Sequence, residues 1–526
     1  MARSSQRRFH LDPDEVRPWL YAGGLLYQAL VVLQLSRSPF FGNPILDARY
    51  QVEWALALAR GVDPHPVFFQ SPLYSYLLAG FLRVAGWHVW PVVLAQVLLV
   101  LLVARLVERT LELLEVRGAL RGVFLGVALF YPLYPYYASQ LHKTTLEIFL
   151  YALVMYLGTA LLARERPLAR YLGLAAAFGL VCGLAALTRA TFQAVAVLPC
   201  LLVPRQRLAT LLAVFLAFLG PFGWASLHNY RGAGEWVPLQ TSFGFTLFLG
   251  NNPWNPQGAQ LPVPGLSNRP LEEEASSREY AEQRSGRPLT VAQVNDFFVA
   301  RVLEFARNDP AAFLSAQAHK LYWYLHREEL PDDDCYRDSF LEAPALAWNP
   351  LGWGWIAAFA LPAVALVACS WKWRARCPPA ELFVVLLPLV FLAVAMLFYV
   401  SSRLRVGHVA LWLPVLGLGF EQVLRFGRQR AATLLAVGCL ALLPGLAMAL
   451  TPPLQYPPDE TRTKRARILL DLGRFDEAQQ QIQAFANPSL RRDYLAHLQV
   501  LRALPDPSLR PRYLVSPRLP QRGGAP

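Results

Sequence analysis

Residues 382–400 read LFVVLLPLVFLAVAMLFYV, an uncharged run of aliphatic and aromatic residues interrupted only by Pro388. About 20 apolar residues in helical conformation cross the roughly 30 Å hydrocarbon core of a bilayer. A helix also satisfies its own backbone there, where no water can. Leu211–Leu227, Ile356–Cys369 and Ala431–Leu450 are comparable runs. With shorter runs between them they predict an α-helical polytopic membrane protein of about eleven transmembrane helices. Composition agrees: 55% of the 526 residues are hydrophobic and only 16% are charged.

A formal net charge of +13 also suits a nucleic-acid binder, so placement of the charges decides. Basic clusters recur at every second loop: Arg3/Arg7/Arg8, Arg105/Arg109/Arg117/Arg121, Arg164/Arg166/Arg170, Arg205/Arg207, Lys372/Arg374/Arg376 and Arg425/Arg428/Arg430. That alternation follows the positive-inside rule, puts those loops in the cytoplasm and argues against a nucleic-acid partner. Cys182, Cys200, Cys369 and Cys439 fall in spans, Cys377 at a cytoplasmic edge and Cys335 alone in an outer loop. They give neither a disulfide framework nor metal-ligand spacing. The first apolar stretch, Val16–Leu35, has a basic leader but no small-residue cleavage site, and reads as the first span.

This topology divides the chain into four parts. Residues 1–227 form an N-terminal membrane module whose first outer loop, 36–88, holds an amphipathic segment Tyr50–Arg60 and a Pro-punctuated stretch Asp63–Pro72. Residues 228–350 form a large extracytoplasmic region, with helical periodicity over Val291–Arg307 and Ala311–His326. Residues 351–450 carry the last spans. Residues 451–526 form an outer helical tail, in which Ala466, Leu470, Gly473, Phe475 and Ala478 are spaced as in one tetratricopeptide hairpin. A single such unit cannot bury its apolar face alone.

Short outer turns are expected to be poor in Lys and Arg, yet three carry them: His142-Lys143, Arg189, and Arg403/Arg405/His408. Such charges either snorkel to lipid headgroups or mark a substrate path. Taken together they form a cationic pocket suited to a lipid-borne phosphate, for which the planar guanidinium fork is the favoured partner. Asp47, just beyond the first span, is either a helix N-cap or a functional carboxylate.

At Asp47-Ala48-Arg49-Tyr50, followed by Ala55, Ala57, Ala59, Gly61 and Gln70-Ser71-Pro72-Leu73-Tyr74, the chain resembles bacterial polyprenyl-phosphate-sugar glycosyltransferases. These are of the dolichyl-phosphate-mannose protein mannosyltransferase-like class (GT-C fold, glycosyltransferase family 39-like). Further matches lie at Gly183–Arg189, Phe248-Leu249-Gly250-Asn251-Asn252-Pro253, Lys320-Leu321-Tyr322-Trp323 with Glu329-Leu330-Pro331-Asp332, and Ser402-Arg403-Leu404-Arg405. None is specific alone; five in order span about 400 residues, and the tail is outside them. The resemblance implies a multi-pass enzyme of the cytoplasmic membrane with its active site facing the periplasm or exterior. It would transfer a hexose or pentose, with inversion, from a polyprenyl-phosphate carrier to a hydroxyl on a protein, lipid or cell-envelope glycan.

On the same grounds Asp47 would be the general base or orient the acceptor. Arg403, Arg405, Lys143, Arg189 and His142 would bind the donor phosphate, with Tyr50, Asn251, Asn252 and Glu329 as acceptor or loop candidates. Relatives carry an acid in the second outer turn, where this chain has His142-Lys143-Thr144-Thr145; its nearest acid, Glu147, falls in span four. No metal ligand is assigned, and a requirement for magnesium or manganese stays open.

The reaction itself sets the residue types. An acceptor hydroxyl attacking an anomeric carbon through an oxocarbenium-like state needs a proton acceptor and cations for the departing phosphate. A lipid-linked-glycan flippase or transporter is the alternative, but carriers tend to show repeated halves and midplane charges, whereas polar groups here gather at one face. Asp332-Asp333-Asp334 reads as a solvated acidic loop rather than a nucleotide-sugar metal motif, and no Gly-rich phosphate loop occurs. Trp348, Trp353 and Trp355 suit an interfacial belt.

Overall fold

The computed structural model describes residues 13–202, 207–256, 258, 263–267, 269–330, 336–450 and 459–503. Among them every regular element is helical. The acidic run Asp332-Asp333-Asp334, Cys335, and the tail positions before 459 and after 503 lie outside the described residues.

In the N-terminal half, α1 (Pro13–Leu35) leads to α2 (Leu46–Ala59) and α3 (Leu73–Ala85) in the first outer loop. Then come α4 (Val89–Leu113), α5 (Gly118–Phe130), the short α6 (Leu133–Ala138), α7 (Thr144–Ala163) and α8 (Leu168–Ala186). A 3₁₀ turn, Ala190–Val195, passes to α9 (Leu198–Leu202) and the long α10 (Arg207–Ala233). The region expected from sequence to be outer holds α11 (Phe243–Gly250), α12 (Glu273–Ser285), α13 (Val291–Asn308), α14 (Pro310–Leu325) and α15 (Pro344–Ala347). The last membrane helices are α16 (Trp353–Arg374), α17 (Pro379–Leu397) and α18 (Ser402–Leu450), followed by α19 (Asp459–Asp471), α20 (Phe475–Gln483) and α21 (Pro488–Ala503).

Among the described residues eight helices are long and apolar enough to cross a membrane: α1, α4, α7, α8, α10, α16, α17 and the first half of α18. The chain is a multi-pass membrane protein. The other runs counted as spans from sequence are shorter or share a helix: Gly118–Phe130, Ala190–Leu202 and residues 431–450. The last continues α18 past a kink at Arg430, where φ is −132°.

That kink is a reversal. A Cβ on Gly419 would lie 2.8 Å from Ala363, and one on Gly445 would lie 2.5 Å from the backbone of Ala358. Those two glycines would be about 39 Å apart on a straight helix, at 1.5 Å per residue, whereas Ala358 and Ala363 are separated by only about 7 Å of α16. Both halves of α18 therefore pack on the same stretch of α16. Small residues permit such approaches, which take the place of a hydrophobic driving force between helices in lipid. The same device joins α8 to α10, where a Cβ on Gly179 would fall 2.1 Å from the Val214 carbonyl oxygen.

The outer region has its own core of Phe69, Phe245, Phe248, Tyr280, Phe298 and Val302. Helix α13 begins with a capping box in which Thr290 and Gln293 exchange hydrogen bonds, and Asp309 caps α14 through the amide of Ala312. Two elements here escaped the periodicity reading: α3, inside the first loop, and α12. The first outer loop is stitched to the start of the large outer region. Asn229 Oδ1 accepts from the Phe68 amide at 2.8 Å, and the Thr241 amide donates to the Phe68 carbonyl at 2.9 Å.

In the tail, α19 and α20 form the expected hairpin over Ala466, Leu470, Ala478 and Ile482, with Gly473 at φ 72° in the turn. The neighbour such a unit needs is supplied within the chain: α21 adds Leu498 and Leu501 to that core. An ion pair between Arg465 and Glu342 ties the tail to the segment before α15.

Close helix contact at Gly179 predicts that Gly179→Ala lowers the melting temperature in detergent, at a cost of about 1–3 kcal/mol for overpacking. Gly122→Ala, whose added methyl meets nothing within 4 Å, is expected to be neutral or mildly stabilising.

Candidate active site

The site begins at the entry to α2. Leu46 takes a left-handed φ of 47°, a conformation costing a branched residue on the order of 1–2 kcal/mol, and Asp47 follows in the first helical turn. Asp47 Oδ2 accepts from Arg403 Nη1 at 2.7 Å, and Asp47 Oδ1 accepts from Gln70 Nε2 at 3.3 Å. Arg403 stands in the first turn of α18, 356 residues away in sequence, and only 9% of its side chain is exposed. The same Nη1 lies 3.0 Å from His142 Nε2.

His142 is fully enclosed, and burial, reinforced by Arg403, holds its imidazole well below the ordinary histidine value. A neutral ring has one donor and one acceptor nitrogen. Nε2 faces the Arg403 guanidinium, and Nδ1 lies 2.6 Å from Thr144 Oγ1 and 3.2 Å from the Thr144 amide, so both ring nitrogens are engaged. Asp47 behaves in the opposite way. Burial alone would raise its carboxyl, but the charges of Arg403 and Lys143 more than offset this and keep it ionised and below the usual carboxylate range.

The second wall comes from the turn between α6 and α7. Gln51, one turn along α2 from Asp47, accepts from the Lys143 amide at 3.1 Å and so fixes this turn. The Lys143 ammonium is buried, which lowers it from its ordinary value, and its nearest carboxylate oxygen, Glu147 Oε1, is 3.9 Å away. Glu147 Oε2 accepts from Arg189 Nη2 at 2.8 Å and from Arg189 Nε at 3.2 Å. Burial opposes the Arg189 charge, and Glu147 more than restores it. The Lys143 side chain does not cap α7; the Lys143 amide donates to Gln51 and the Thr144 amide to His142 Nδ1 at 3.2 Å. The positive dipole end of the helix lies beside two cations, an arrangement that favours anions.

The hydroxyls of Tyr50, Thr145 and Ser401 are buried on these same segments without hydrogen-bond partners. Buried polar atoms left unpaired are rare and costly. Here they sit on α2, on the first turn of α7 and beside the start of α18, the three segments that carry Asp47, Lys143 and Arg403.

Six residues named from sequence thus converge: Asp47, Tyr50, His142, Lys143, Arg189 and Arg403. Four do not, and each has a structural occupation instead. Arg405, two residues beyond Arg403, leaves the helix on the other side. It is enclosed, donating to the carbonyls of Trp323, His326 and Glu328 and to Glu329 Oε2 at 3.0 Å. Arg405 and Glu329 therefore hold the segment after α14 and are not presented to a donor phosphate.

Asn251 donates to the Leu397 carbonyl at 2.7 Å and accepts from Lys320 Nζ at 2.6 Å, while Lys320 also donates to the Met396 carbonyl at 3.0 Å. Together they cap the end of α17, from which residues 398–401 lead into Arg403. Burial pushes the Lys320 ammonium down to about 7. Asn252 is spent on its own turn, donating to Phe248 and accepting from Trp254.

Sequence reasoning set Glu147 aside as too deep in its span; it lies in the first turn of α7 and pairs with Arg189. It missed Glu273, which sits in the first turn of α12 and feels the charges of Asp47 and Arg403. Its only signal was a place in Glu272-Glu273-Glu274, an acidic run like many on polar loops. Among the described residues no three His, Cys, Asp or Glu side chains gather as a metal site. Asp47 and Glu147 are each faced by guanidinium groups at hydrogen-bond distance, so this donor set does not fit a divalent cation.

No protein-family model matches the chain, and no curated protein matches it either. Among solved structures it is similar to an oligosaccharyltransferase from Archaeoglobus fulgidus in complex with zinc and sulfate, with a TM-score of 0.43 and 12% identity over 87% of this chain and 56% of that one. It is similar to AglB, the archaeal oligosaccharyltransferase of the same organism with an inhibitory peptide and a dolichol-phosphate, with a TM-score of 0.38, 12% identity, and 88% and 59% coverage. It is also similar to ArnT from Cupriavidus metallidurans in the apo state, with a TM-score of 0.33, 17% identity, and 79% and 80% coverage. The chain spans little more than half the length of the archaeal structures. Likeness this slight is within reach of unrelated helical bundles and carries no argument about the site.

The different occupations of the two arginines are measurable. Arg405→Met leaves Glu329 buried opposite an apolar side chain, at a cost on the order of 3–5 kcal/mol. It should appear as a large loss of thermal stability, partly recovered in Arg405→Met/Glu329→Gln. Arg403→Lys should retain most of the stability, because Asp47 keeps a cationic neighbour.

Proposed function

We propose that this protein is a membrane glycosyltransferase that moves a sugar from a polyprenyl-phosphate carrier to an acceptor hydroxyl on the outer side of the cytoplasmic membrane. The observation that carries this reading is the convergence of Asp47, Arg403, His142, Lys143 and Arg189 from four separate segments. The GT-C-type arrangement implied by the sequence resemblance is part of the reading, as is an acceptor on protein, lipid or envelope glycan. The outer placement rests on the basic clusters of the opposite loops.

Around the phosphate seat, Arg403, Lys143 and Arg189 stand against the side chains of Asp47 and Glu147, one cation more than acids. That suits the single negative charge of a sugar-phosphate diester. Lys143 is the cation least engaged, and beside Arg189 and the N-terminus of α7 it is the natural seat of the donor phosphate. When the bond from phosphate to anomeric carbon breaks, the leaving group gains a second charge. Fixed cations aimed at that growing charge lower the barrier without having to reorganise. Direct attack by the acceptor from the opposite face inverts the anomeric centre.

The test is incubation of the purified protein with a panel of polyprenyl-phosphate sugars, reading release of free carrier phosphate. Lys143→Met should raise the KM for donor by about 10- to 100-fold, the worth of a charge-assisted hydrogen bond of about 1.5–3 kcal/mol. Translocation of intact donor without release of carrier phosphate would replace the reading with that of a flippase.

A further inference from the structure

Asp47 is an unpromising proton acceptor. Both of its oxygens are engaged, one by Arg403 at 2.7 Å and one by Gln70 at 3.3 Å. A carboxylate held below its ordinary range binds a proton more weakly still. The groups around it include a better one. Helix α12 buries Ser277, Tyr280 and Ala281, with Tyr280 stacked on Phe298 of α13 at 6.0 Å. Residues four and seven apart share a helix face, so Glu273 stands on the same stripe, one turn before Ser277.

The Glu273 carboxyl is half-buried, and no hydrogen bond or ion pair joins it to another of the described residues. The charges acting on it come from Asp47 on α2 and, more weakly, Arg403 on α18. Tyr50, one turn along α2 from Asp47, feels Glu274, Asp47, Glu273 and Asp63. Its phenol is 4% exposed and has no partner. An unpartnered buried hydroxyl within the fields of Asp47 and Glu273 marks a place for a polar group that the protein does not itself supply.

We infer that Glu273, brought to the site by the large outer loop, accepts the proton of the attacking hydroxyl, while Asp47 serves to hold Arg403 in place. The inference rests on the glycosyltransferase reading above. The acceptor oxygen bonds to the anomeric carbon as the bond from that carbon to the phosphate oxygen breaks. The electron pair departs on the carrier phosphate, and the hydroxyl proton passes to the Glu273 carboxylate and from there to outer water. Tyr50 is placed to donate its hydrogen to the sugar or acceptor beside that carboxylate.

Burial, then the negative charge of Asp47, raises the Glu273 carboxyl well above its ordinary value; Arg403 and the N-terminus of α12 act the other way and more weakly. A raised proton affinity makes a stronger base, of which only the ionised fraction is active. Turnover should therefore rise with pH along a limb set well above the ordinary Glu value of about 4.3.

The experiment measures release of carrier phosphate and donor binding across pH for the wild-type protein, Glu273→Gln and Asp47→Asn. Glu273→Gln is expected to lower kcat by about 100- to 10,000-fold, to keep donor affinity within about threefold, and to lose the alkaline-shifted limb. Retained donor affinity shows that the variant is folded. Asp47→Asn is expected to weaken donor binding and to keep a pH limb in its residual turnover, moved toward lower pH because the negative charge that helps raise Glu273 is gone. Near-normal kcat in Glu273→Gln, or loss of the limb in Asp47→Asn alone, overturns the inference and leaves the glycosyltransferase reading standing. Failure of the wild-type protein to release carrier phosphate from any donor overturns both.

Discussion

The ion pair between Asp47 and Arg403 joins the first outer loop to the start of α18 and closes the site between them. A charge pair this enclosed is not a source of stability in itself, because removing both groups from water costs about as much as their attraction returns. What it enforces is register. The loop carrying Asp47 must meet α18 at its first turn, and His142 must approach with a lone pair toward the guanidinium. Breaking one partner leaves the other charge unsatisfied, so the three segments are mutually committed.

Neutral scaffolding makes that commitment affordable in conformational terms. Gln51 pins the turn before α7, Asn229 pins the extended stretch after α2, and Asn251 with Lys320 closes the last turn of α17 just ahead of Arg403. Gly250 lies against the Phe398 carbonyl, where a Cβ would fall 2.0 Å away. Motifs that looked like substrate contacts in a string of letters are here the fasteners of the peptide that presents the arginine. Their chemistry is that of backbone satisfaction: carbonyls at the end of a membrane helix require donors, and amides and ammonium groups provide them.

Much of this was legible in the sequence, and what was not has physical causes. Apolar run lengths revealed most of the membrane helices, and the rarity of charge in outer turns drew attention to His142, Lys143, Arg189 and Arg403. The same rule could not separate Arg403 from Arg405, since composition does not say which side of a helix faces a cavity. Glu147 was placed in span four, where α7 carries it, but its pairing with Arg189 could not be read, because a span's first turn cannot be told from its interior by composition. Helices α3 and α12 were lost for opposite reasons. The first is apolar yet too short to span, and the second is polar along most of its length. Glu273 could not be found from its neighbours, because only folding of the large outer loop brings it toward Asp47. The tail's third helix was overlooked because the tetratricopeptide spacing ends before it.

On the proposed reading, the distribution of charge separates donor binding from proton transfer across the site. Cations occupy the side formed by α7, the turn after α8 and α18, all anchored in membrane helices, where that reading seats a lipid-borne phosphate. Glu273 occupies the side formed by the large loop between α10 and α16, which the proposed acceptor would meet. Asp47 stands at the seam. Were it unpaired, it would repel the incoming phosphate; held by Arg403, it instead keeps one guanidinium nitrogen committed and the remainder of that cation's field directed inward. An anion entering near Lys143 then gains attraction from three fixed positive groups, while Asp47 and Glu147 oppose it from positions already engaged by guanidinium groups. The preference is small in charge, but it acts in a region shielded from water, where screening is weak.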